Sequence, residues 1–161
     1  MATINEAARI ALALPEVIEG ERFGGRTWAV NGKVFAWERA FRKADIKRFG
    51  DQTPPDGPIL ALRTADLGEK EAILGAGHDG FFTIPHFDGY AGFLIQLRVV
   101  ARPALKEAIV DAWLATAPAA LAEQYVARRR RRPRPEISPP PAGRPPGRSP
   151  ARVETPRRAP A

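Results

Sequence analysis

The stretch that decides the fold is TWAVNGKVFAW, residues 27–37. Its central Asn31-Gly32 pair tolerates the positive φ angles of a two-residue type I′ turn, and its flanks are rich in strand-forming residues. A two-residue loop fixes the register of a β-hairpin, so Trp28 is expected to face Phe35. We therefore expect one face of the hairpin to carry its large side chains and to anchor the core, namely Trp28, Val30, Phe35 and Trp37.

Outward from the hairpin, the sequence predicts alternating helices and strands. Thr3 and Glu6 form a capping box ahead of a helix over residues 3–14, which Pro15 ends. The remaining patterns predict strands at 21–23, 59–64, 81–84 and 93–98, and helices at 44–49, 66–74, 103–115 and from 118 onward. Successive strands with helices at both ends indicate the α+β class, with an antiparallel sheet and helices packed on one face.

Charge divides the 161-residue chain into two parts. Residues 1–127 hold 14 Lys/Arg and 16 Asp/Glu, whereas residues 128–161 hold 11 Arg and 2 Glu. The second part also contains more than half of the prolines and few large apolar side chains, so it cannot bury enough surface to offset its ordering entropy. We interpret 1–127 as the α+β domain and 128–161 as an Arg/Pro-rich, disordered tail.

Composition also narrows the compartment and the chemistry. The chain has no cysteine, which excludes disulfides and thiolate metal sites and fits the cytoplasm. No apolar run is long enough to span a membrane, and the first residues lack the basic start and apolar core of a signal peptide. No nucleophile–base pair, phosphate loop or metal cage is evident, so we predict no enzyme activity, no metal and no cofactor.

Several blocks of sequence resemble the MmcQ/YjbR family. They are ALPE (13–16), FG (23–24) ahead of a threonine, KVFA (33–36), DLGEKE (66–71), FTIPHFDGY (82–90) and the Ala112-Trp113 helix. The resemblance spans roughly residues 5–127 and does not include the Pro/Arg tail. It implies a CyaY-like fold of the frataxin type, an antiparallel sheet with helices on one side. It also implies the family's label of DNA-binding protein.

Two basic segments are candidate nucleic-acid contacts. The first is Arg39, Arg42, Lys43, Lys47 and Arg48, and the second is the run Arg128, Arg129, Arg130, Arg131 and Arg132. Clustered cations favour an anionic partner such as DNA through phosphate contacts. The alternative is a solvated loop and helix face for the first segment, and favourable interaction with a helix dipole for the second.

A ligand groove is the other candidate site, with Trp28, Trp37, His86 and Asp88 as its residues. Aromatic side chains can stack on bases or line a groove, although at strand spacing they more often form core. His86 and Asp88 can likewise be part of a loop in which the carboxylate caps backbone N–H groups. If helices cover the aromatic face of the hairpin, its opposite face is left open for a partner or ligand.

These observations lead to two hypotheses about function. The first is a non-enzymatic, cytoplasmic MmcQ/YjbR-type protein that binds DNA weakly and electrostatically through the tail arginines and the 39–48 segment. The second is an adaptor or small-ligand-binding module that uses the open sheet face, with the proline-rich tail docking protein partners.

Overall fold

The computed structural model describes residues 1–132. Within this range the chain forms five α-helices and six β-strands, with one turn of 3₁₀ helix at Pro85–Phe87. The helices are α1 (Ile4–Leu12), α2 (Lys43–Phe49), α3 (Leu67–Gly75), α4 (Arg102–Thr116) and α5 (Ala119–Arg131). The strands are β1 (Val17–Arg22), β2 (Gly25–Val30), β3 (Lys33–Glu38), β4 (Ile59–Arg63), β5 (Phe81–Phe82) and β6 (Gly92–Gln96). The first residues of the predicted disordered tail, 128–131, instead belong to α5, and the tail from residue 133 onward lies outside the described residues.

The six strands form one antiparallel sheet in the order β1-β2-β3-β4-β6-β5. The predicted α+β class is therefore confirmed.

Local sequence explains the main helix boundaries. The hydroxyl of Thr3 accepts a hydrogen bond from the Glu6 N–H at 3.2 Å and caps α1. Asp66 caps α3 in the same way through the Glu69 N–H at 2.8 Å.

The β2–β3 hairpin forms as predicted at its turn but not along its length. Asn31 and Gly32 both have positive φ, and the predicted pairing of Val30 with Lys33 is present. Further along, a β-bulge shifts the register, so Trp28 pairs with Ala36 and the predicted pairing with Phe35 is wrong. The bulge places one extra residue in β3 and reverses the faces of the residues beyond it.

One face of the sheet carries the main core. Trp28 and Phe35 are fully buried there, beside strand residues of β4 and β6. Helices α1 and α4 cover this face, joined by side chains of α3 and α5. We call it the helix face, and its fully buried side chains include Trp28, Phe35, Phe93, Leu105, Ile109 and Trp113.

The opposite face is only half covered. A second, smaller core contains Ile59, Ala61, Ile84, Phe87 and Leu94, with Trp37, Phe41, Phe49 and Phe82 packed against it. Phe49 belongs to α2, so this short helix lies on the opposite face from the other four. The prediction that Trp37 joins Trp28 and Phe35 in the main core is wrong, because the bulge turns Trp37 to this side.

The predictions were least accurate at the ends of the sheet. Strand β1 begins at Val17, well before the predicted start at residue 21, and a turn at Phe23-Gly24 connects it to β2. Nearly all of β1 is exposed because it is an edge strand, so it lacks the alternation that identifies a half-buried strand. The last helix has no buried residues, although burial was expected, and its Leu121 and Tyr125 are only half-buried.

We expect Trp28→Ala to lower the free energy of unfolding by about 3–5 kcal/mol, because it leaves a large cavity beneath α1 and α4. Denaturant titration followed by circular dichroism measures this change. Phe23→Ala is the matched control, since the Phe23 side chain is 87% exposed and should contribute less than about 0.5 kcal/mol. Equal effects of the two substitutions would contradict this assignment of the core.

Candidate functional site

A pocket of about 420 Å³ lies on the uncovered half of the sheet, a volume within the range of small-molecule sites. Its walls come from the β1–β2 turn, strands β2 to β4, the segment that follows β3, and the 85–90 segment. We call it the sheet pocket. It is lined by Arg22, Phe23, Thr27, Val34, Trp37, Glu38, Arg39, Ala40, Phe41, Arg42, Arg63, His86, Phe87 and Tyr90.

Trp37 forms the aromatic floor of the sheet pocket. The bulge in β3 brings it to this side, where its ring centroid lies 6.2 Å from that of Phe87 and 6.3 Å from that of Tyr90. The Tyr90 ring meets both neighbours edge-on. The three aromatic rings thus pack against one another, and Tyr90 is still 38% exposed.

Phe23 stands at the rim of the sheet pocket in an unusual conformation. It is the first turn residue between β1 and β2, with φ of 53°, and its side chain is 87% exposed. Positive φ is uncommon for a bulky residue, and such strain concentrates at functional sites. The guanidinium carbons of Arg22 and Arg42 each lie 5.6 Å from the centre of the Phe23 ring. Cation–π attraction therefore joins this turn to the start of α2.

A buried ion pair fixes the segment between β3 and α2. The Arg39 guanidinium donates to the Asp45 carboxylate at 2.8 Å, and the two side chains are only 10% and 4% exposed. The same carboxylate accepts the Arg42 N–H at 2.8 Å and so caps α2. Burial pushes the pKa of Asp45 upward, but these bonds and the charges of Arg39 and His86 outweigh it and hold that pKa below its usual value.

Lys70 fixes the other wall. This α3 side chain is buried, and its ammonium group donates to the carbonyl oxygens of Phe87 at 2.6 Å and Tyr90 at 3.1 Å. Burial of an ammonium group is costly unless its donors are satisfied. Both carbonyls belong to the segment that presents aromatic side chains to the sheet pocket, so Lys70 sets the position of that wall.

The charge of the sheet pocket is strongly positive. Four arginines line it against one glutamate, Glu38. Within residues 1–132, Arg22, Arg42 and Arg63 form no ion pair with a carboxylate, whereas Arg39 is paired. Since unpaired guanidiniums are preferred ligands for carboxylates and phosphates, the pocket is suited to an anion.

The structure separates the four predicted groove residues. Trp37 and His86 line the sheet pocket together, but Trp28 is buried in the core of the helix face. The Trp28 indole N–H donates to the Glu19 carboxylate at 3.1 Å, so it has no access to the pocket. Asp88 is exposed and does not line the pocket. The grouping of Trp28 with the groove is therefore wrong, for the same reason as the predicted hairpin register.

The two predicted basic segments differ in how many of their cationic side chains are exposed. In the first, Arg39 is buried and paired, whereas Arg42, Lys43, Lys47 and Arg48 are exposed around α2. In the second, all five arginines are exposed at the end of α5.

Arg129 is less free than its neighbours in that run. Its guanidinium lies 5.8 Å from the centre of the Tyr125 ring, which in turn packs 5.0 Å from that of Trp113. Burial and the nearby Glu107 and Glu69 raise the pKa of Asp111 on α4, and Arg129 opposes this rise. Part of the positive charge of α5 therefore interacts with Tyr125 and Asp111 of the domain itself.

Sequence reasoning missed most of the sheet pocket's charged lining. Arg22, Arg63 and Glu38 had no distinguishing pattern, and they meet only because neighbouring strands align them. Phe23 was recognisable from the sequence, because a large aromatic residue directly before a glycine in a tight turn is expected to be exposed and not part of the core.

The described residues show neither a metal site nor a membrane span. None of the helices within 1–132 is long and apolar enough to cross a bilayer. In the same range, no three His, Asp or Glu side chains converge in a way that would hold a metal ion.

Comparison with known proteins finds relatives that match most of this chain. The chain is 38% identical over 130 residues to "Uncharacterized protein Rv2570" of Mycobacterium tuberculosis, covering 79% of this chain and 98% of that protein. It is equally similar to "Uncharacterized protein Mb2600" of Mycobacterium bovis. The chain belongs to the family of these proteins. No family model matches the sequence, and no solved structure matches it.

We expect Asp45→Asn to lower the free energy of unfolding by about 3 kcal/mol at neutral pH, because it leaves the buried Arg39 charge without a partner. The lowered pKa of Asp45 means that its carboxylate stabilises the fold above the unfolded-state pKa and that this contribution is lost as pH falls through the folded-state pKa. The variant should therefore lose less stability on acidification than the wild type. Denaturant titration at a series of pH values measures both effects.

Asp56→Asn is the control for this experiment. Its carboxylate pairs with Arg98 at 2.6 Å, but both side chains are more than half exposed, so the loss should stay below about 1 kcal/mol. If Asp45→Asn were no more harmful than Asp56→Asn, the ion pair could not be what holds the pocket wall.

Proposed function

We propose that this domain is a binding module whose sheet pocket holds a small anionic ligand with an aromatic ring. The observation that carries this proposal is that the guanidiniums of Arg22, Arg42 and Arg63, which lie around an aromatic floor, form no ion pair with a carboxylate of residues 1–132. The pocket is concave, and ligand sites typically combine an apolar lining with a few fixed polar groups.

Electrostatics favours an anion over a neutral ligand. The arginines of the pocket repel one another, and a partly enclosed site screens this repulsion less than bulk water does. A carboxylate or phosphate would relieve it and accept several N–H donors at once. Arg39 is paired with Asp45, so the ligand would be bound by Arg22, Arg42 and Arg63. The ligand should therefore bind less tightly as salt concentration rises.

The aromatic lining favours a flat group beside that anion. Trp37 forms the floor, Tyr90 packs beside it, and the exposed Phe23 ring lies at the rim. A flat ring of the ligand would bury the exposed Phe23 surface, which water otherwise covers at a cost. We propose binding and not catalysis, because no two side chains of the lining form the hydrogen-bonded nucleophile–base pair that covalent catalysis uses.

We expect phenyl phosphate to bind more tightly than either inorganic phosphate or benzyl alcohol, each of which supplies only one of the two features. Arg63→Gln should weaken phenyl phosphate about 10-fold or more, since hydrogen bonds to charged groups contribute about 1.5–3 kcal/mol. Isothermal titration calorimetry at low salt measures these affinities.

Arg9→Gln is the matched control, because Arg9 is an exposed residue of α1 on the other face of the sheet. It should leave the affinity unchanged. Failure of all three compounds to bind, or an equal loss in both variants, would refute the proposal.

A second function, electrostatic binding of DNA, is favoured by the exposure of Arg128 and Arg130 to Arg132 at the end of α5. Lys43, Lys47 and Arg48 on α2 form a second exposed cluster. The resemblance to the MmcQ/YjbR family, with its DNA-binding label, supports the same proposal. Contacts of this kind neutralise phosphates and release counterions, and they carry no sequence preference. A cytoplasmic location and protein partners for the proline-rich tail also remain proposals.

We expect the triple variant Arg128/Arg131/Arg132→Gln to bind a short DNA duplex less tightly than the wild type. Its plot of log affinity against log salt should be shallower by about 2–3, because each phosphate contact contributes about 0.9. Filter binding across a salt series measures the slope. The variant Lys43/Lys47/Arg48→Gln separates the contribution of α2. An unchanged slope in both variants would exclude these arginines and lysines as the DNA contacts.

A further inference from the structure

We infer that the ligand of the sheet pocket is a nucleoside monophosphate whose base carries N–H donors on its pairing edge, as guanine does. This inference rests on the proposed function, since it requires that the pocket bind an anionic aromatic compound at all. It adds a specific role for Glu38, the one carboxylate in the lining of the pocket.

Glu38 has no charged partner among the side chains of residues 1–132. It ends β3 and is half-buried, and it forms no ion pair with a side chain of residues 1–132 in spite of the four arginines in the same lining. Its one hydrogen bond is a long contact of 3.4 Å, in which the Arg26 N–H approaches the Oε2 atom. A partly buried carboxylate has two acceptor oxygens, and both can still accept hydrogen bonds from the N–H groups of a ligand. A ligand that only brought negative charge would be repelled by it.

The chemistry that satisfies both Glu38 and the arginines is a molecule with donors at one end and an anion at the other. The carboxylate of a glutamate can accept from the exocyclic amine and ring N–H of a base. Guanine presents both on one edge, whereas the edge of uracil presents one N–H between two carbonyl oxygens that a carboxylate repels. The phosphate would lie among the unpaired guanidiniums of Arg22, Arg42 and Arg63.

The aromatic side chains supply the third feature of this ligand class. Bases stack on aromatic rings with about 1–3 kcal/mol of stabilisation per base. Phe23 is exposed, has a positive φ and lies near two guanidiniums, and it lines the same pocket as Tyr90. A base inserted there would cover the Phe23 ring.

The test compares guanosine 5′-monophosphate (GMP) with compounds that lack one feature each. Calorimetry on the full chain should show GMP binding about tenfold more tightly than ribose 5-phosphate, which lacks the base, and more tightly than guanosine, which lacks the phosphate. Inosine 5′-monophosphate lacks the exocyclic amine and should be intermediate. Uridine 5′-monophosphate (UMP) should be weakest of the nucleotides.

Glu38→Gln should reduce the preference for GMP over UMP about tenfold, and it should bind ribose 5-phosphate at least as tightly as the wild type because it removes a negative charge from the pocket. Glu21→Gln is the matched control, since Glu21 is an exposed residue of β1 outside the lining of the pocket. Circular dichroism spectra of both variants establish that they fold. This pattern is specific to base recognition, because a general loss of pocket structure would weaken ribose 5-phosphate as well.

Two outcomes overturn the inference, and they differ from failure of the proposed function. If phenyl phosphate binds but GMP gains nothing over ribose 5-phosphate, the ligand is an anionic aromatic compound other than a nucleotide. If GMP and UMP bind equally, Glu38 does not contact the base. A trinucleotide with a 5′-phosphorylated terminal guanosine separates a free nucleotide from the end of a strand: tighter binding of the trinucleotide than of GMP assigns the site to strand ends, and weaker binding assigns it to the free nucleotide.

Discussion

The β-bulge in β3 is the constraint on which the rest of the structure depends. Without it, strict alternation would place Trp37 on the same face as Trp28 and Phe35. With it, Phe35 and Ala36 both enter the core beneath α1 and α4, and Trp37 turns to the opposite face. One extra residue therefore places the aromatic side chains of a single hairpin on both faces of the sheet. Trp28 and Phe35 close the main core, and Trp37 forms the floor of the sheet pocket.

Around that floor, two buried charged groups position the walls. The Arg39–Asp45 pair holds the segment between β3 and α2, and Lys70 holds the 85–90 segment through two carbonyl oxygens. Buried charges are expensive and persist where other contacts satisfy them, as both do here. Three further arginines of the lining, Arg22, Arg42 and Arg63, form no ion pair with a carboxylate of residues 1–132. Fixed charges therefore shape the site, and the charges left without a partner are the basis on which we propose an anionic ligand.

Local sequence signals predicted those parts of the fold that depend on local physics. The capping of α1 by Thr3, the Asn31-Gly32 turn and the inward residues of α4 all follow from short-range patterns, and all are present. The bulge was not predictable in this way, because it depends on how Phe35 and Ala36 pack against distant helices. The sheet pocket was half predicted: Trp37 and His86 were candidates, but Arg22, Glu38 and Arg63 become neighbours only when the strands pair.

The contact made by Lys70 joins the two faces of the sheet. Its helix, α3, contributes Ile73 and Leu74 to the core of the helix face, while its ammonium group holds carbonyls of the segment that walls the pocket on the other face. The packing of α3 in the core of the helix face therefore fixes a wall of the pocket on the opposite face. No residue of α3 lines the pocket, so the shape of the site depends on a helix that does not touch its interior.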